Sequence, residues 1–599
     1  MPLDAISKAP VTSRTASGGF ETQDGTLYVS KPFRSRTSKK LRALITFAPR
    51  NSHFDTNNES SGSNEFRGFF SLFWISIFIF MVRTYINSYE SNGAPLNFRF
   101  ATLLSKDAIT LALSDAALVG STTICVPFAK AVSKGWIRYY WTGVFIQHAI
   151  QTFILFTAIT WTFNRQWPWV QSGFLTLHSL VMIMKMHSYM SVNGYLQYIT
   201  EQSQVILDQL RQATDRVGGW EKALADATAR RTEADISTSV TCSDSDTSIS
   251  SAVGTPPVPI GMQGSYVDAN AAAVIRRRLV AVTAENVKQK TTAEVIPSAF
   301  DPHPLIDHPN EYISDLAKEY SELQGELRSP GPEYLVWPNN ITFKNFAVYQ
   351  LIPTLVYELE YPRTDKLYPL SIDNAPVSDA CCRIRPLYIF EKTTATFGTF
   401  ALLYSVTETF ILPKTETPGS FFRSLLELSL PFMLAYLLLF YIIFECICNA
   451  FAELSYFADR RFYDDWVCRR LWECHSSLIP FFTQWNSTSW DEFSRKWNKP
   501  VHMFLLRHVY ASTMASYKLS RTSAMFITFF LSACVHELVM VIVTRKIRMY
   551  LFLLQLIQIP LIALTRMPII KQNQMLGNVV FWLGLYAGFP LLCVAYVAH

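Results

Sequence analysis

The sequence predicts an all-α, polytopic membrane protein with about nine transmembrane helices, and three observations support this prediction. Of the 599 residues, 49% are hydrophobic and 14% are aromatic, which is too apolar for an ordinary soluble enzyme. Several runs reach the roughly 18–20 apolar residues that span a bilayer. No segment shows the alternating apolar and polar pattern of a half-buried strand. We therefore expect helices, which satisfy all backbone hydrogen bonds within lipid.

Composition divides the chain into four segments. Residues 1–66 are rich in Ser, Thr, Asn and Arg and are predicted to be a disordered, basic cytosolic tail. Residues 67–199 carry the first transmembrane helices, and residues 200–340 form a polar, partly disordered cytosolic insert. Residues 341–599 hold the remaining helices and all the candidate site residues. Basic residues precede the first span and also lie between the second and third spans. By the positive-inside rule, both of these segments are expected in the cytosol.

Nine apolar runs are long enough, or nearly long enough, to be spans. In chain order they are residues 69–86, 108–132, 141–163, 170–190, 387–412, 421–452, 524–543, 550–564 and 579–598. Lys185 lies near the end of the fourth run, and we expect its side chain to snorkel to the membrane surface. The stretch 198–217 has apolar residues at helical spacing and is predicted to continue as an amphipathic helix.

Charge and cysteine usage argue against other classes of protein. The net charge of +6 is modest for this length, and the basic residues flank apolar runs instead of forming one stripe. This pattern does not indicate a nucleic-acid partner. The ten cysteines lack zinc-ligand spacing, and most lie in or beside apolar segments, where they are expected to be core residues. No metal is predicted.

His536 is the strongest candidate for a catalytic group. It lies with Glu537 inside the apolar run 524–543, where ionisable groups are costly and usually mark a functional site. A buried imidazole stays neutral and can take a proton from a hydroxyl, which suits attack of an alcohol on an activated acyl group. Ser532 lies four residues earlier on the same helical face, where it could bind a ligand, orient the ring or simply pack. Glu537 is expected to pair with a cation on another helix. A core histidine bonded to a neighbouring helix is the alternative for His536.

Two further stretches could supply a polar site at the membrane face. Asn498 follows Trp497 and precedes a proline, so it could stabilise an oxyanion, hold His536 or act as a helix N-cap. The stretch 457–466 mixes aromatic residues with two arginines and three aspartates. Such a mixture suits phosphate groups and an adenine ring, although an interfacial aromatic belt would have a similar composition.

Together these residues resemble the membrane-bound O-acyltransferase family, and in particular the fungal sterol O-acyltransferases. The matching motifs are Lys185 to Tyr189, Pro353 to Leu355, Tyr361 to Thr364, Phe462 to Trp466, Trp497-Asn498, Arg507 to Tyr510, Ser532 to Leu538, Gly577-Asn578 and Phe581 to Gly584. The resemblance covers residues 66–200 and 340–599. It is less specific between sterol and diacylglycerol acyltransferases, which share several of these motifs.

The resemblance implies an enzyme that moves a long-chain acyl group from acyl-CoA to the 3β-hydroxyl of a sterol. The sterol esters would be stored in lipid droplets, and the enzyme would lie in the endoplasmic reticulum membrane as a dimer or tetramer without a cofactor. His536 would be the general base and Asn498 would position the thioester or assist it. The residues implied to bind acyl-CoA are Phe462, Tyr463, Asp465, Trp466, Trp485, Asn486, Trp497, Tyr510 and Ser532.

One departure from the family pattern concerns the acyl-CoA motif. The family has Phe-Tyr-x-Asp-Trp-Trp-Asn without interruption, but here residues 467–484 separate Trp466 from Trp485 and Asn486. Removing this segment restores the motif in register. A Val codon begins with GT and a Gln codon can end with AG, the usual intron boundaries, so our hypothesis is a retained intron. A genuine loop insertion is the alternative. If the segment is translated, we expect little or no activity.

Other functions remain to be weighed against sterol esterification. A diacylglycerol O-acyltransferase would differ in the lipid acceptor that it consumes. A transporter could use His536 and Glu537 as a proton relay, but it would need repeated halves, and none is visible. A non-catalytic scaffold becomes a serious alternative if residues 467–484 are translated.

Overall fold

The computed structural model describes most of the membrane part and portions of the two polar segments. The described residues are 11–14, 20–22, 25–27, 34–35, 38–41, 67–93, 105–240, 303–329, 335–363, 384–416, 420–463, 490–517, 519–565, 567 and 574–598. Within the insert, disorder was predicted for residues 229–259; residues 229–240 are helical instead, and the rest of that range lies outside the described residues. The same holds for the proposed intron at residues 467–484.

Helices dominate the described part of the chain. The α-helices are α1 Arg67–Asn92, α2 Ala108–Ser121, α3 Cys125–Ser133, α4 Val144–Asn164, α5 Trp169–Asp215, α6 Trp220–Val240, α7 Glu311–Glu326, α8 Phe343–Leu351, α9 Pro386–Val406, α10 Leu412–Glu416, α11 Phe421–Phe440, α12 Cys448–Leu454, α13 Trp490–Lys496, α14 Lys499–Phe504, α15 Ser512–Tyr517, α16 Arg521–Thr544, α17 Tyr550–Thr565 and α18 Gln574–Cys593. Turns of π-helix join or extend several of them at Tyr139–Gly143, Thr407–Ile411, Tyr441–Ile447, Leu505–Ala511 and Val594–Ala598.

The predicted fold class is confirmed. Six helices in the described part are long and apolar enough to cross a membrane. They are Ala108–Ser133, Tyr139–Asn164, Pro386–Thr415, Phe421–Leu454, Arg521–Thr544 and Leu576–Tyr596. The other three predicted spans are helical as well, in α1, the first half of α5 and α17. The number of spans, nine, stays a prediction.

Short strands in the tail were not predicted. Residues 11–41 contain β1 Val11–Arg14, β2 Phe20–Thr22 and β3 Gly25–Leu27 in one antiparallel sheet, and β4 Arg34–Ser35 and β5 Ser38–Leu41 in another. The prediction of no strand is therefore wrong for these residues. Thr22 pairs with Gly25 and Ser35 with Ser38, so two residues connect β2 to β3 and two connect β4 to β5. Such pairing is local and does not need the long alternating pattern that the sequence lacks.

The long helix α5 is the central helix of the N-terminal half. It packs against α2, α3, α4, α7 and α16, and its buried residues form one core with those of α3, α7 and α8. Its length confirms the predicted continuation of the fourth span as an amphipathic helix. The first half of α5 lies against α4 and α16, which are both candidate spans, while the second half supports the folded part of the insert.

Lys185 on α5 does not snorkel, and that prediction is wrong. Its side chain is 4% exposed, and Nζ donates hydrogen bonds to the carbonyl oxygens of Tyr349 (2.9 Å), Gln350 (2.9 Å) and Ile352 (2.8 Å). These carbonyls end α8, where the last turn lacks intrahelical partners and the helix dipole favours a cation. Lys185 therefore caps the C-terminal end of α8 within the core.

The insert contains a folded unit around His303. The imidazole Nδ1 accepts a hydrogen bond from the backbone amide of Leu305 (3.3 Å), at the start of the turn Pro304–Asp307. The ring meets Trp220 of α6 and Tyr320 of α7 edge-on, each at a centroid distance of 5.6 Å. Burial lowers the pKa of His303 below its usual value of 6.5.

We expect the packing of this unit to weaken as the pH falls below about 6.5. Because folding lowers the pKa of His303, the folded unit binds fewer protons than the unfolded one, so its stability rises with pH across this range. Protonation would also put a hydrogen on Nδ1 and break the bond to Leu305. Amide exchange in α6 and α7 at about pH 7.5 and about pH 5.5 measures this effect. His303→Gln should abolish the difference, and equal exchange at both pH values in the unaltered protein would contradict it.

Five charged residues, here called the buried charge group, join the helices of the C-terminal half. They are Arg385, Lys392, Glu445, Glu453 and Arg460. Nζ of Lys392 lies 3.1 Å from Oε1 of Glu445, and both residues are almost fully buried. Glu453 contacts both arginines, with 2.9 Å from Oε2 to Nη2 of Arg385 and 2.5 Å to Nη2 of Arg460. Charges at this depth are tolerated only when paired, so each pair fixes its helices in one arrangement.

Removing one partner of a buried pair should cost much more than removing one of an exposed pair. Glu445→Ala leaves Lys392 uncompensated, and we expect a loss of about 3–5 kcal/mol in the free energy of unfolding. Chemical denaturation of the purified protein in detergent measures the loss. The matched control is Arg423→Ala, which removes an exposed contact to Glu427 (2.8 Å) and should change nothing measurable. Equal effects of the two substitutions would contradict the role of the buried charge group.

Candidate active site

His536 is held by its own helix. Its Nδ1 lies 2.7 Å from the backbone carbonyl oxygen of Ser532 and 3.3 Å from the Ser532 hydroxyl. A carbonyl oxygen can only accept, so the hydrogen of a neutral ring is assigned to Nδ1 and the lone pair to Nε2. An imidazole with a free Nε2 lone pair can accept a proton from a hydroxyl. Three roles were predicted for Ser532, and this contact fits the one in which Ser532 orients the ring.

The burial expected for His536 is not what the structure shows. The described residues leave its ring exposed on α16, while the next side chain, Glu537, is turned inward and is 5% exposed. Successive residues of a helix point about 100° apart, so an exposed His536 and a buried Glu537 are compatible. The exposed ring can therefore be reached by a ligand, and the contact with Ser532 assigns the hydrogen of a neutral ring to Nδ1.

Among the described residues Glu537 pairs with no cation, so that prediction is wrong. Its carboxylate accepts hydrogen bonds from the backbone amides of Met549 (2.8 Å) and Phe552 (3.1 Å), at the start of α17. It also accepts from the Tyr596 hydroxyl, at 2.8 Å and 2.9 Å to its two oxygens. The first amides of a helix lack intrahelical partners and carry the positive end of its dipole, so they can replace a cation. Glu537 thus fastens α16 to α17 and to the end of the chain, directly beside His536.

Asn498 is the N-cap of α14. Its Oδ1 accepts from the backbone amide of Val501 (3.2 Å), which is the structural alternative considered for this residue. The cap uses only the carbonyl oxygen, so it leaves the two hydrogens of Nδ2 for a ligand. Trp497 stacks on Tyr436 (4.7 Å between ring centroids, 6° between planes) and packs on Phe440 (4.4 Å). Trp497 is therefore part of an aromatic cluster with α11.

The structure brings Phe462 and Tyr463 next to this asparagine. The carbonyl oxygen of Phe462 accepts from the amide of Lys499 (3.0 Å), the residue after Asn498. The Tyr463 hydroxyl donates to Oε2 of Glu445 (3.2 Å), which ties the motif to the buried charge group. The other residues of the motif, Asp465, Trp466, Trp485 and Asn486, lie outside the described residues.

Tyr510 lies in the π-helical turn Leu505–Ala511, which packs against α16. Two residues earlier, the His508 ring lies 2.8 Å from the Ser188 hydroxyl through Nε2 and 3.2 Å from the Ser191 hydroxyl through Nδ1. This turn therefore connects α5 to the helix that carries His536. Turns of π-helix are frequent at functional sites. Tyr510 itself is buried, and Ser532 lies on the packed partner helix.

Sequence reasoning missed the buried charge group as a support of the site. The ring of Tyr388 lies between its cations, 4.2 Å from Arg385, 5.2 Å from Lys392 and 5.5 Å from Arg460. A signal was present, since Lys392 and Glu445 lie inside apolar runs where an ionisable residue suggests a partner. Their pairing spans 53 positions, which periodicity cannot reveal.

Comparison with known proteins identifies the family of the chain. The family model for MBOAT, membrane-bound O-acyltransferase family, matches residues 419–598, which include all the candidate site residues. The chain belongs to the membrane-bound O-acyltransferase family. The probable sterol O-acyltransferase 1 of Schizosaccharomyces pombe is 30% identical over 92% of this chain and 86% of its own length. The sterol O-acyltransferase 2 of Candida albicans is 30% identical over 92% of this chain and 78% of its own.

A relative with a different acceptor in its name matches a smaller part. The diacylglycerol O-acyltransferase 1 of Dictyostelium discoideum is 30% identical over 44% of this chain and 38% of its own length. The resemblance predicted from the motifs is thus confirmed.

If Glu537 holds the helix that carries His536, Glu537→Ala should lower both stability and turnover. The substitution leaves the Met549 and Phe552 amides without their acceptor, each at a cost of about 1–3 kcal/mol. Thermal unfolding and acyl transfer by the purified protein measure both effects. Tyr596→Phe is the milder matched variant, because it removes one donor but keeps the two amide contacts. Full activity and stability of Glu537→Ala would contradict the anchoring role.

Proposed function

We propose that this protein is a sterol O-acyltransferase, which transfers a long-chain fatty acyl group from acyl-CoA to the 3β-hydroxyl of a sterol. The single observation that carries the proposal is the similarity to sterol O-acyltransferases over 92% of the chain. The geometry of His536 supports it, because an imidazole with a free Nε2 suits the activation of an alcohol. The sterol esters would be a storage form for lipid droplets.

The proposed mechanism is a direct transfer. Nε2 of His536 takes the proton of the sterol hydroxyl while the oxygen attacks the thioester carbonyl of acyl-CoA. The carbon–sulfur bond breaks, and the leaving thiolate of CoA takes up the proton from the imidazolium. Nδ2 of Asn498 can donate to the carbonyl oxygen as negative charge develops there, since its N-cap uses only Oδ1.

Acyl-CoA would bind where the two aromatic motifs meet. We assign its contacts to the predicted residues Phe462, Tyr463, Asp465, Trp466, Trp485, Asn486, Trp497, Tyr510 and Ser532. The bond from Lys499 to Phe462 holds two of these motifs together, so a ligand that contacts one can contact the other. The reaction as written needs no cofactor or metal, because the acyl group arrives already activated as a thioester.

Diacylglycerol is the alternative acceptor. The similarity to a diacylglycerol O-acyltransferase covers 44% of the chain, against 92% for the sterol O-acyltransferases, which favours a sterol. We further propose that the enzyme lies in the endoplasmic reticulum membrane and that it forms a dimer or tetramer.

The proposal is tested in cells that lack sterol ester synthesis. We expect the chain without residues 467–484 to convert labelled oleoyl-CoA into sterol ester, and the full-length chain to give little or none, because the insert separates Trp466 from Trp485. His536→Ala in the shortened chain should abolish the product, since no other group in the proposed mechanism takes the hydroxyl proton.

The outcomes of this experiment are distinct. Equal product from both forms would identify residues 467–484 as a tolerated loop. Triacylglycerol in place of sterol ester would change the acceptor. No ester from either form, when both are folded in the membrane, would refute the proposed activity.

A further inference from the structure

A second histidine lies within the membrane part, paired with a carboxylate. Nδ1 of His178 on α5 is 2.5 Å from Oδ1 of Asp115 on α2, and the two side chains are 27% and 23% exposed. Asp115 belongs to a candidate membrane span, and the part of α5 that carries His178 packs against two others. Ionisable residues at such depth usually mark a functional site. Nothing in the proposed reaction uses this pair.

The chemistry of the pair favours recognition of a hydroxyl. The carboxylate of Asp115 accepts the hydrogen on Nδ1, which leaves the lone pair of His178 on Nε2. Within the part of the chain that the structure describes, Asp115 is the hydrogen-bond partner found for this ring. Nε2 is therefore an acceptor that a ligand O–H can reach, and the negative charge behind the ring strengthens it.

Exposed apolar side chains lie on both helices of the pair. Ile109 and Leu113 on α2 are 79% and 66% exposed, and Phe174 and Leu177 on α5 are 48% and 53% exposed. The ring of Phe174 lies 5.8 Å from the ring of His178. A polar acceptor set among apolar side chains matches a molecule that is apolar apart from one hydroxyl, as a sterol is.

The pair lies at nearly the same level as His536, where level means the position along the nearly parallel axes of α5 and α16. A Cβ placed on Gly173 of α5 would lie 3.4 Å from Cγ2 of Val543 on α16. Nη2 of Arg545 lies 3.4 Å from the carbonyl oxygen of Trp167, so the two helices run antiparallel. His178 follows Gly173 by about 7.5 Å along its helix, and His536 precedes Val543 by about 10.5 Å in the same direction. The two imidazoles therefore differ in level by only about 3 Å.

A purely structural role for the pair would be to join α2 to α5. A neutral contact joins α2 to another helix one residue away, where Nε1 of Trp161 on α4 donates to the Ser114 hydroxyl (2.9 Å). A carboxylate is a costly way to join helices in lipid, because its charge loses its water. A contact that only joined α2 to α5 would not require the side chains of Asp115 and His178 to be partly exposed.

We propose that Asp115 and His178 form a binding site for the hydroxyl of the acceptor sterol, between the lipid and His536. The inference rests on the proposed function. The sterol hydroxyl donates to Nε2 of His178, and its rings contact Phe174 and Leu177. From there the hydroxyl reaches the level of His536 with little movement across the membrane.

The first test uses the unaltered full-length protein in phospholipid nanodiscs. A sterol with a photoreactive diazirine near its hydroxyl is expected to label peptides of α2 and of the first half of α5. Excess unlabelled sterol should compete, and a matched probe without the hydroxyl should label these peptides far less. Equal labelling by both probes, or labelling only elsewhere, would overturn the proposal. Because no residue is substituted, misfolding of a variant cannot explain a loss of labelling.

The second test uses whichever form of the chain makes sterol ester. His178→Gln and Asp115→Asn are expected to raise the KM for sterol about tenfold or more, the effect of losing one hydrogen bond to a charged pair. The turnover number and the KM for acyl-CoA should not change. Ser114→Ala, which removes the neighbouring neutral contact, is the matched control.

The kinetic outcomes separate this proposal from the proposed function. A similar change in Ser114→Ala, or a fall in turnover with an unchanged KM for sterol, would mean that the pair only supports the fold. Absence of sterol ester from the unaltered chain would instead count against the proposed function, and hydroxyl-dependent labelling would still decide whether the pair binds an alcohol.

Discussion

The hydrogen bonds of Glu537 are the constraint on which the candidate site depends. One carboxylate accepts from two amides that begin α17 and from the Tyr596 hydroxyl, so three separate segments meet at the residue after His536. The inward turn of Glu537 directs His536 outward, and the carbonyl of Ser532 then sets its tautomer. The carboxylate of Glu537 sets the position of the helix that carries His536. The backbone of that helix sets which ring nitrogen carries the hydrogen.

The buried charge group fixes the positions of the aromatic motifs. Tyr463 reaches Glu445, which is paired with Lys392, while Glu453 holds two arginines in the adjoining segment. The carbonyl of Phe462 then accepts from Lys499, so the segment that carries Asn498 follows the same support. The motifs thus rest on buried ion pairs that define one arrangement of α9, α11 and α12. The residues of the buried charge group thus determine where the proposed substrate-binding residues lie, although they are assigned no contact with substrate themselves.

The sequence predicted the helical class correctly and located the apolar runs, because apolar length is a property of neighbouring residues; the roles of the candidate residues stay predictions. It failed where a partner is distant. Lys185 lies beside an apparent helix end, so snorkelling was expected, yet its carbonyl acceptors begin 164 positions away. Glu537 was expected to need a cation, and a helix N-terminus took that place. The hairpins of residues 11–41 were missed because they are too short for a periodic pattern. The shielding of His536 was misjudged because the direction of a side chain depends on tertiary packing.

The most direct measurement offers the purified protein a choice of acceptor. Labelled oleoyl-CoA would be supplied with equal amounts of sterol and diacylglycerol in liposomes, to the full-length chain and to the chain without residues 467–484. We expect labelled sterol ester to be the main product of at least the shortened chain, and to be lost in His536→Ala. Predominant triacylglycerol, or sterol ester that persists in His536→Ala, would contradict the proposed function.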